Sequence, residues 1–272
     1  MKRIISFSGG KDSTALILWA KENLDEFDTI FCDTGWESDE TYEYIQYINL
    51  MLLNGKLIVL HSKDYSSFED LSIKKQRIPS SQARYCTEEL KLIPTKNYIS
   101  QYLPVLCSEF EPPEVEIYVG IRADESEARK DLPERTWSDF YNCFLNRPLI
   151  YQNVEYVFDL HKKYGVKPNP LYSKGFSRVG CYPCINIRLP ELRQLFIRDP
   201  QRIDKIRELE RNVGRSFFSP KRIPKRFHTG FDFKSGKSFP WIDDVIKYIS
   251  SGKYEIQDEE GESCMSYYSI CE

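Results

Sequence analysis

The chain has 272 residues, 38 basic and 41 acidic side chains and a formal net charge of −3, which allows one large domain or one domain with an appendage. No apolar run approaches membrane-spanning length, and an apolar strand follows Met1-Lys2-Arg3 at once, leaving no room for a leader. Eight cysteines in such a chain read as reduced thiols and metal ligands, not as a disulfide framework, so a cytoplasmic protein with no membrane partner is expected.

In chain order, Arg3–Phe7 reads as a strand and Ser13–Asn23 as its helix. Thr29–Cys32 is a second strand, ending at Asp33-Thr34-Gly35. Glu37–Leu53 is helical, with Tyr44, Ile45, Ile48 and Leu52 at helical spacing. Lys56–Leu60 is a third strand, and residues 68–85 are loop or short helix. Glu88–Tyr102 is a helix, Glu116–Val119 a strand and Arg147–Ile150 a short final strand. A helix over Asn153–Tyr164 follows. Strands alternating with helices predict an α/β fold, a doubly wound parallel sheet with helices on both faces. Ligands of such sheets sit beyond the carboxyl ends of the strands, where Ser8, Asp33 and Arg122 all fall.

The run Ser8-Gly9-Gly10-Lys11-Asp12-Ser13, with Thr14, joins the first strand to its helix. Adjacent glycines permit a tight turn, and a helix N-terminus attracts anions. Lys11 adds a mobile cation, and Ser13 and Thr14 add hydroxyls. The spacing is not that of the P-loop. The residues themselves predict a phosphate cradle; a plain helix-capping turn is the alternative.

Asp33-Thr34 is placed to face the adenine and ribose of a nucleotide whose phosphates rest on Ser8–Thr14. Gly120-Ile121-Arg122-Ala123-Asp124-Glu125-Ser126, followed by Arg129, leaves the fourth strand. Gly120 allows a tight exit, and two arginines can grip phosphate or sulfate oxygens. A salt-bridge cluster with Glu125 and Glu127 is the alternative.

Arg84-Tyr85-Cys86-Thr87 leads into Lys91 and Pro94. Far downstream come Asn169-Pro170-Leu171-Tyr172, Gly175, Arg178, Gly180 and Cys181-Tyr182-Pro183-Cys184. The Cys-x-x-Cys pair suits a redox couple or half of a zinc site. With Cys86 it suits an iron–sulfur cluster; zinc could instead be completed by His61, His161 or His228. Cys32, Cys107 and Cys143 read as core.

Charge is uneven along the chain. Arg198, Arg202, Lys205, Arg207, Arg211 and Arg215, then Lys221, Arg222, Lys225, Arg226, Lys234 and Lys237, interleave with Phe217, Phe218, Phe227, Phe231 and Phe233. Cations with aromatics suit a nucleic-acid backbone and its unstacked bases, so DNA or tRNA contact through 198–237 is expected. Asp199, Asp204, Glu208 and Glu210 already neutralise part of this segment. An acidic tail, Glu255 to Glu262, could shield it.

The order Ser8–Ser13 resembles the pyrophosphatase loop of the PP-loop ATPases. Together with Cys86, Lys91 and Pro94, Gly120–Arg129 and Asn169–Cys184, it resembles the PAPS reductase family, over roughly residues 1–200. That family belongs to the adenine nucleotide alpha hydrolase-like (HUP-like, PP-loop) superfamily. The resemblance implies nucleotide binding by Ser8, Gly9, Gly10, Lys11, Asp12, Ser13, Asp33 and Arg122. It also implies a nucleotide-binding domain over 1–188, including the Cys-x-x-Cys site, and a mainly helical or irregular extension over 189–272.

Two departures from the reductases shape the functional expectation. Their adjacent cysteines before the lysine matching Lys91 become Cys86 and Thr87, so Cys86, Cys181 and Cys184 supply three of four expected ligands. Their C-terminal Glu-Cys-Gly-x-His segment is not found, although Cys264 or Cys271 could act as a mobile nucleophile. The expectation is therefore an ATP pyrophosphatase, forming AMP and pyrophosphate, that activates a nucleic acid for sulfur transfer, as in DNA phosphorothioation or tRNA thiolation. Lys11, Asp12 and Arg122 are its candidate catalytic residues, ATP with Mg²⁺ and a [4Fe-4S] cluster its cofactors, and a cysteine desulfurase its sulfur donor. A sulfonucleotide reductase forming sulfite is the alternative, and a non-catalytic nucleotide-binding partner the third.

Overall fold

The computed structural model describes residues 1–103 and 115–252. Its first half alternates β1 (Lys2–Phe7), α1 (Lys11–Asn23), β2 (Asp28–Cys32), α2 (Asp39–Leu53), β3 (Ile58–Leu60) and α3 (Phe68–Lys74). A short α4 (Tyr85–Thr87) passes through a π-helical turn, Glu88–Leu92, into α5 (Ile93–Ile99). Then come β4 (Val115–Tyr118), β5 (Arg135–Ser138), β6 (Cys143–Asn146) and α6 (Val154–Lys163). The C-terminal region holds α7 (Leu189–Arg198), α8 (Pro200–Val213), β7 (Gly230–Asp232), β8 (Lys237–Phe239) and α9 (Ile242–Ser250). Among the described residues no helix is long and apolar enough to cross a membrane.

The main sheet has six strands in the order β3-β2-β1-β4-β6-β5. All neighbours are parallel except β5, which runs antiparallel to β6. This is the expected α/β architecture with one strand reversed at its edge. Chain progression changes direction between β1 and β4, so a crevice opens beyond the ends of these two strands. Side chains of β1 alternate between layers, as strand geometry requires. Ile5 and Phe7 join α1, α2 and α6 residues such as Leu16, Ile48 and Val157. Ile4 joins Ile117, Leu145 and Ile99 on the opposite face.

Two expectations are corrected. Arg147–Ile150 is not a strand: pairing ends at Asn146, and the Ile150 amide donates to the Arg147 carbonyl in a turn. Helix α1 starts at Lys11, two residues before the expected Ser13. Lys11 and Asp12 therefore occupy its first turn. Helix α2 starts at Asp39, where the Ser38 hydroxyl accepts the Thr41 amide as an N-cap.

A third core lies beside the sheet. Trp36, Phe68 and Leu71 pack with Leu192 and Leu195 of α7, Ile203 and Ile206 of α8, Phe217, and Val245 of α9. Residues on either side of position 188 thus share one apolar cluster.

Candidate nucleotide and thiol site

The loop after β1 turns at Gly9, whose φ is +80°. A Cβ there would lie 3.1 Å from Thr41 and 3.3 Å from Ile45 of α2, so the position excludes side chains on two grounds. Gly10 is extended, φ −85°, and is the N-cap of α1 without a side chain to fill the helix amides. The loop's hydroxyls work internally. Ser13 Oγ and Thr14 Oγ1 both donate to the Gly10 carbonyl, at 3.1 and 2.9 Å. The Ser8 amide donates to Ser13 Oγ at 3.2 Å. Thr14 also meets the Tyr44 hydroxyl.

Lys11 is held on every side. Its amide donates to the Tyr172 hydroxyl at 2.9 Å, and its ammonium sits 5.3 Å from the Tyr172 ring centre. His161 Nε2 lies 2.9 Å from the Lys11 carbonyl, and burial lowers the pKa of His161. Lys11 Nζ donates to Asp12 Oδ2 at 2.6 Å. The other oxygen of Asp12 accepts Arg122 Nε, also at 2.6 Å, and both side chains of that pair are only 5% exposed. Arg122 bonds Asp124 as well, and Arg129 bonds Glu125. Burial disfavours the Arg122 charge, but Asp12, Glu125 and Asp124 outweigh it and raise its pKa.

A cavity of about 320 Å³ opens in front of this cluster. Lys11, Arg122 and Arg129 line it, together with Cys86, Cys181 and Cys184. Arg84, Lys91, Arg178 and Arg188 add further cations, against the carboxylates of Glu125 and Glu191. Glu191 accepts the amides of Ser177 and Arg188. Thr34 also lines the cavity, its hydroxyl donating to buried Glu37 at 2.7 Å and lying 3.9 Å from Cys181 Sγ.

The remaining expected nucleotide residues are not on this wall. Ser8, Gly9, Gly10, Asp12, Ser13 and Thr14 adjoin Lys11 in the chain without lining the cavity, and Gly120 follows β4. Asp33 closes its own turn, accepting the Gly35 amide at 2.8 Å and the Tyr42 hydroxyl at 2.7 Å.

The Cys-x-x-Cys loop is fixed by Trp36. The Tyr182 amide donates to the Trp36 carbonyl at 2.8 Å, and Trp36 Nε1 donates to the Pro183 carbonyl at 3.0 Å. Arg202 lies over both rings, 5.0 Å from Trp36 and 5.3 Å from Tyr182, and donates to the Glu37 carbonyl. Burial pushes the Cys181 thiol pKa well up; Lys91 opposes this, while Glu37, Cys184 and Cys86 add to it.

An all-thiol donor set around one cavity fits a cluster or soft metal in kind. Among the described residues, however, no three His, Cys, Asp or Glu side chains already meet at metal-ligating geometry. No histidine lines the cavity, so the expected completion of a zinc site by His61, His161 or His228 is not formed. His161 serves Lys11, His228 bonds Ser238 and Ile223, and His61 lies 3.9 Å from Asp33. For magnesium, both Asp12 oxygens are already paired with cations. Cys143 is buried and Cys32 contacts Thr95 and the Lys91 carbonyl. Cys107, Cys264, Cys271 and the acidic tail lie outside the described residues.

Sequence reasoning missed Tyr172, Asn169, Glu37 and Trp36 as site residues. Asn169 Nδ2 donates to the Gly9 carbonyl and steadies the loop. The motif Asn169–Tyr172 marked the segment, but nothing local assigned its partner.

A mostly parallel sheet whose crevice sets a glycine-capped helix start beside three thiols places the chain in the α/β class of the nucleotide-binding PP-loop fold. Residues 2–187 match the sequence profile of the phosphoadenosine phosphosulfate reductase domain, and the chain belongs to that family. It is similar to an uncharacterised 37.8 kDa protein of Escherichia phage 186, 34% identical over 278 residues and covering 82% of each chain. It is also similar to an uncharacterised protein of Methanocaldococcus jannaschii, 29% identical over 233 residues, covering 81% of this chain and 52% of that one. The crystal structure of phosphoadenylyl-sulfate (PAPS) reductase from Candida auris, a phosphate complex, shares the fold. Its TM-score is 0.52 at 17% identity, covering 68% of this chain and 83% of that one.

Proposed function

We propose that the protein binds ATP in this cavity and transfers its adenylyl group to a nucleic-acid oxygen with release of pyrophosphate, so that incoming sulfide displaces that oxygen as AMP. The observation that carries this is the cavity itself: Lys11, Arg122 and Arg129 share it with Cys86, Cys181 and Cys184. Its cationic excess, with Arg84, Lys91, Arg178 and Arg188 added against Glu125 and Glu191, supports a triphosphate ligand.

In this reading Lys11 exchanges Asp12 for a phosphate oxygen, and the α1 N-terminus stabilises charge developing on the leaving pyrophosphate. Arg122, kept ionised by Asp12, holds its position while Lys11 moves. Magnesium would be held chiefly by the phosphates, because both Asp12 oxygens are already paired with cations. Cys86, Cys181 and Cys184 are the residues that would hold an iron–sulfur cluster, which would supply a binding place for sulfide. Thr34 and Glu37 position Cys181. A cysteine desulfurase is the proposed sulfur donor.

The thiols beside the anion site also favour a second reading, reduction of APS or PAPS to sulfite. Anaerobically purified protein should release pyrophosphate from ATP, with iron and a visible absorption band in the same sample. Sulfite from APS or PAPS without pyrophosphate from ATP would replace the first reading by the second. A colourless zinc protein would remove the cluster assignment.

A further inference from the structure

The β7–β8 hairpin carries two phenylalanines that fill no core. Phe231 is 50% exposed and Phe233 89%, and their rings pack edge to face at 5.1 Å. Gly230 sets this arrangement. A Cβ there would lie 2.4 Å from the Phe239 ring, so Phe239 covers the glycine and the next residue, Phe231, turns outward. Lys221, Lys225, Arg226, Lys234 and Lys237 surround the pair in sequence and are exposed. None of the five has a carboxylate partner among the described residues. The hairpin's own carboxylate, Asp232, is engaged by Ser235, the Lys234 amide and Arg215.

Part of the expected basic stretch is used up internally, although Lys205 and Arg211 of α8 are also exposed. Arg202 is buried against Trp36, Arg207 pairs with Asp204 and Asp243, and Phe217 and Phe218 are core. A chain of contacts links the hairpin to the cavity. Ser238, opposite Phe231, bonds His228, which bonds the Ile223 carbonyl. Arg222, next to Ile223, donates to the carbonyl of Ile187, a cavity-lining residue beside Arg188.

We propose that this hairpin and the basic segment before it bind single-stranded nucleic acid. Bases stack on Phe231 and Phe233, and phosphates follow Lys221, Lys225, Arg226, Lys234 and Lys237 toward the cavity. A protein-binding patch would deplete charge around its aromatic centre; here five exposed cations flank the two aromatics in sequence. Naming the strand as the sulfur acceptor rests on the function proposed above, whereas the binding itself does not.

The test is fluorescence anisotropy of the full chain with labelled thymidine and uridine homopolymers of about 20 nucleotides, longer than a platform of this size needs. No ATP is added. One or both strands should bind at low salt. The double variant Phe231→Ala/Phe233→Ala should bind at least about tenfold more weakly. The double variant Lys225→Gln/Arg226→Gln should flatten the dependence of log K on log salt by about 1.4 units, at about 0.7 for each phosphate contact on a single strand. Should the alanine pair melt early, Phe233→Leu keeps an apolar side chain and removes the ring face, and it should still weaken binding. Binding by neither strand, full affinity in Phe233→Leu, or equal competition by a perfect duplex would overturn the proposal. Strand binding without pyrophosphate release would overturn the proposed reaction alone; pyrophosphate release without strand binding would overturn this inference alone.

Discussion

Asp12 and Arg122 stand 110 residues apart in the chain and meet at 2.6 Å as a buried ion pair. One follows β1 and the other β4, so the pair bolts together the two strands between which the crevice opens. Removing Asp12 leaves the buried Arg122 guanidinium to the half-exposed Asp124 carboxylate and takes the ion pair from Lys11. Asp12→Ala should cost about 3 kcal/mol, read as a lower urea midpoint at unchanged slope. The double variant Asp12→Leu/Arg122→Met should recover part of that loss, since it removes the buried guanidinium together with its buried carboxylate, although Lys11 and Asp124 each lose a partner. Additive losses would show that the pair does not couple the strands.

Lys11→Ala should leave the fold intact and lower pyrophosphate release by about 10²–10³-fold, the effect of losing one preorganised charge contact to the transition state. Steady-state release measured beside a thermal melt separates chemistry from folding. Undiminished turnover would mean that the phosphates do not rest on this helix start.

Tyr172 places its hydroxyl oxygen on the Lys11 amide, the position a phosphate oxygen would take at a helix N-terminus. An incoming anion must displace it. Tyr172→Phe should therefore tighten nucleotide binding by about three- to tenfold, the worth of one modest hydrogen bond. Calorimetric titration with ATP would check this, and weaker binding would make the hydroxyl a ligand contact instead of a competitor.

Gly9 and Gly10 are adjacent but differ in what they require. Gly9→Ala meets both a positive φ and the Thr41 and Ile45 side chains, and should destabilise by about 1–3 kcal/mol. Gly10 has φ −85°, which any residue adopts, so Gly10→Ala should change stability by no more than about 1 kcal/mol. Denaturation midpoints of the two variants compare them directly.

Glu210 accepts the Phe217 and Ile242 amides in the C-terminal core. Burial pushes its carboxyl pKa up from 4.5 to about 7, against the two amide bonds. The folded state thus holds the proton more tightly than the unfolded state. Stability from this group is complete below pH about 4.5 and declines as pH rises to about 7, by about 3 kcal/mol at most. Melting curves from pH 5 to 7.5 should fall for the native chain and stay flatter for Glu210→Gln.

Strand β1, its loop and α1 were legible because apolar alternation, glycines and helical periodicity fall in order within a single stretch. The three thiols were legible as a chemical set, since Cys-x-x-Cys and Cys86 announce themselves by type. What closes around them was not. The Tyr172 hydroxyl on Lys11, Asn169 on Gly9 and Trp36 on Pro183 depend on distant segments meeting. Arg202 looked like one more surface cation in an amphipathic helix, yet the aromatic rings of Trp36 and Tyr182 bury it. The strands β5 and β6 escaped because Arg135–Ser138 and Cys143–Asn146 are short and carry mixed polarity. Their pairing comes from the sheet edge, not from local preference.

Trp36 touches the thiol loop through two hydrogen bonds, α8 through Arg202, and the segment after α8 through the Phe217 ring, 6.5 Å away. Loosening α8 therefore loosens the Cys181–Cys184 turn in the same event. The Cys181 and Cys184 thiols gain their shelter only once the last helices have docked. A polypeptide emerging in order would keep these sulfurs open to oxidants until its C-terminal third is in place, which makes late folding the moment of greatest chemical exposure.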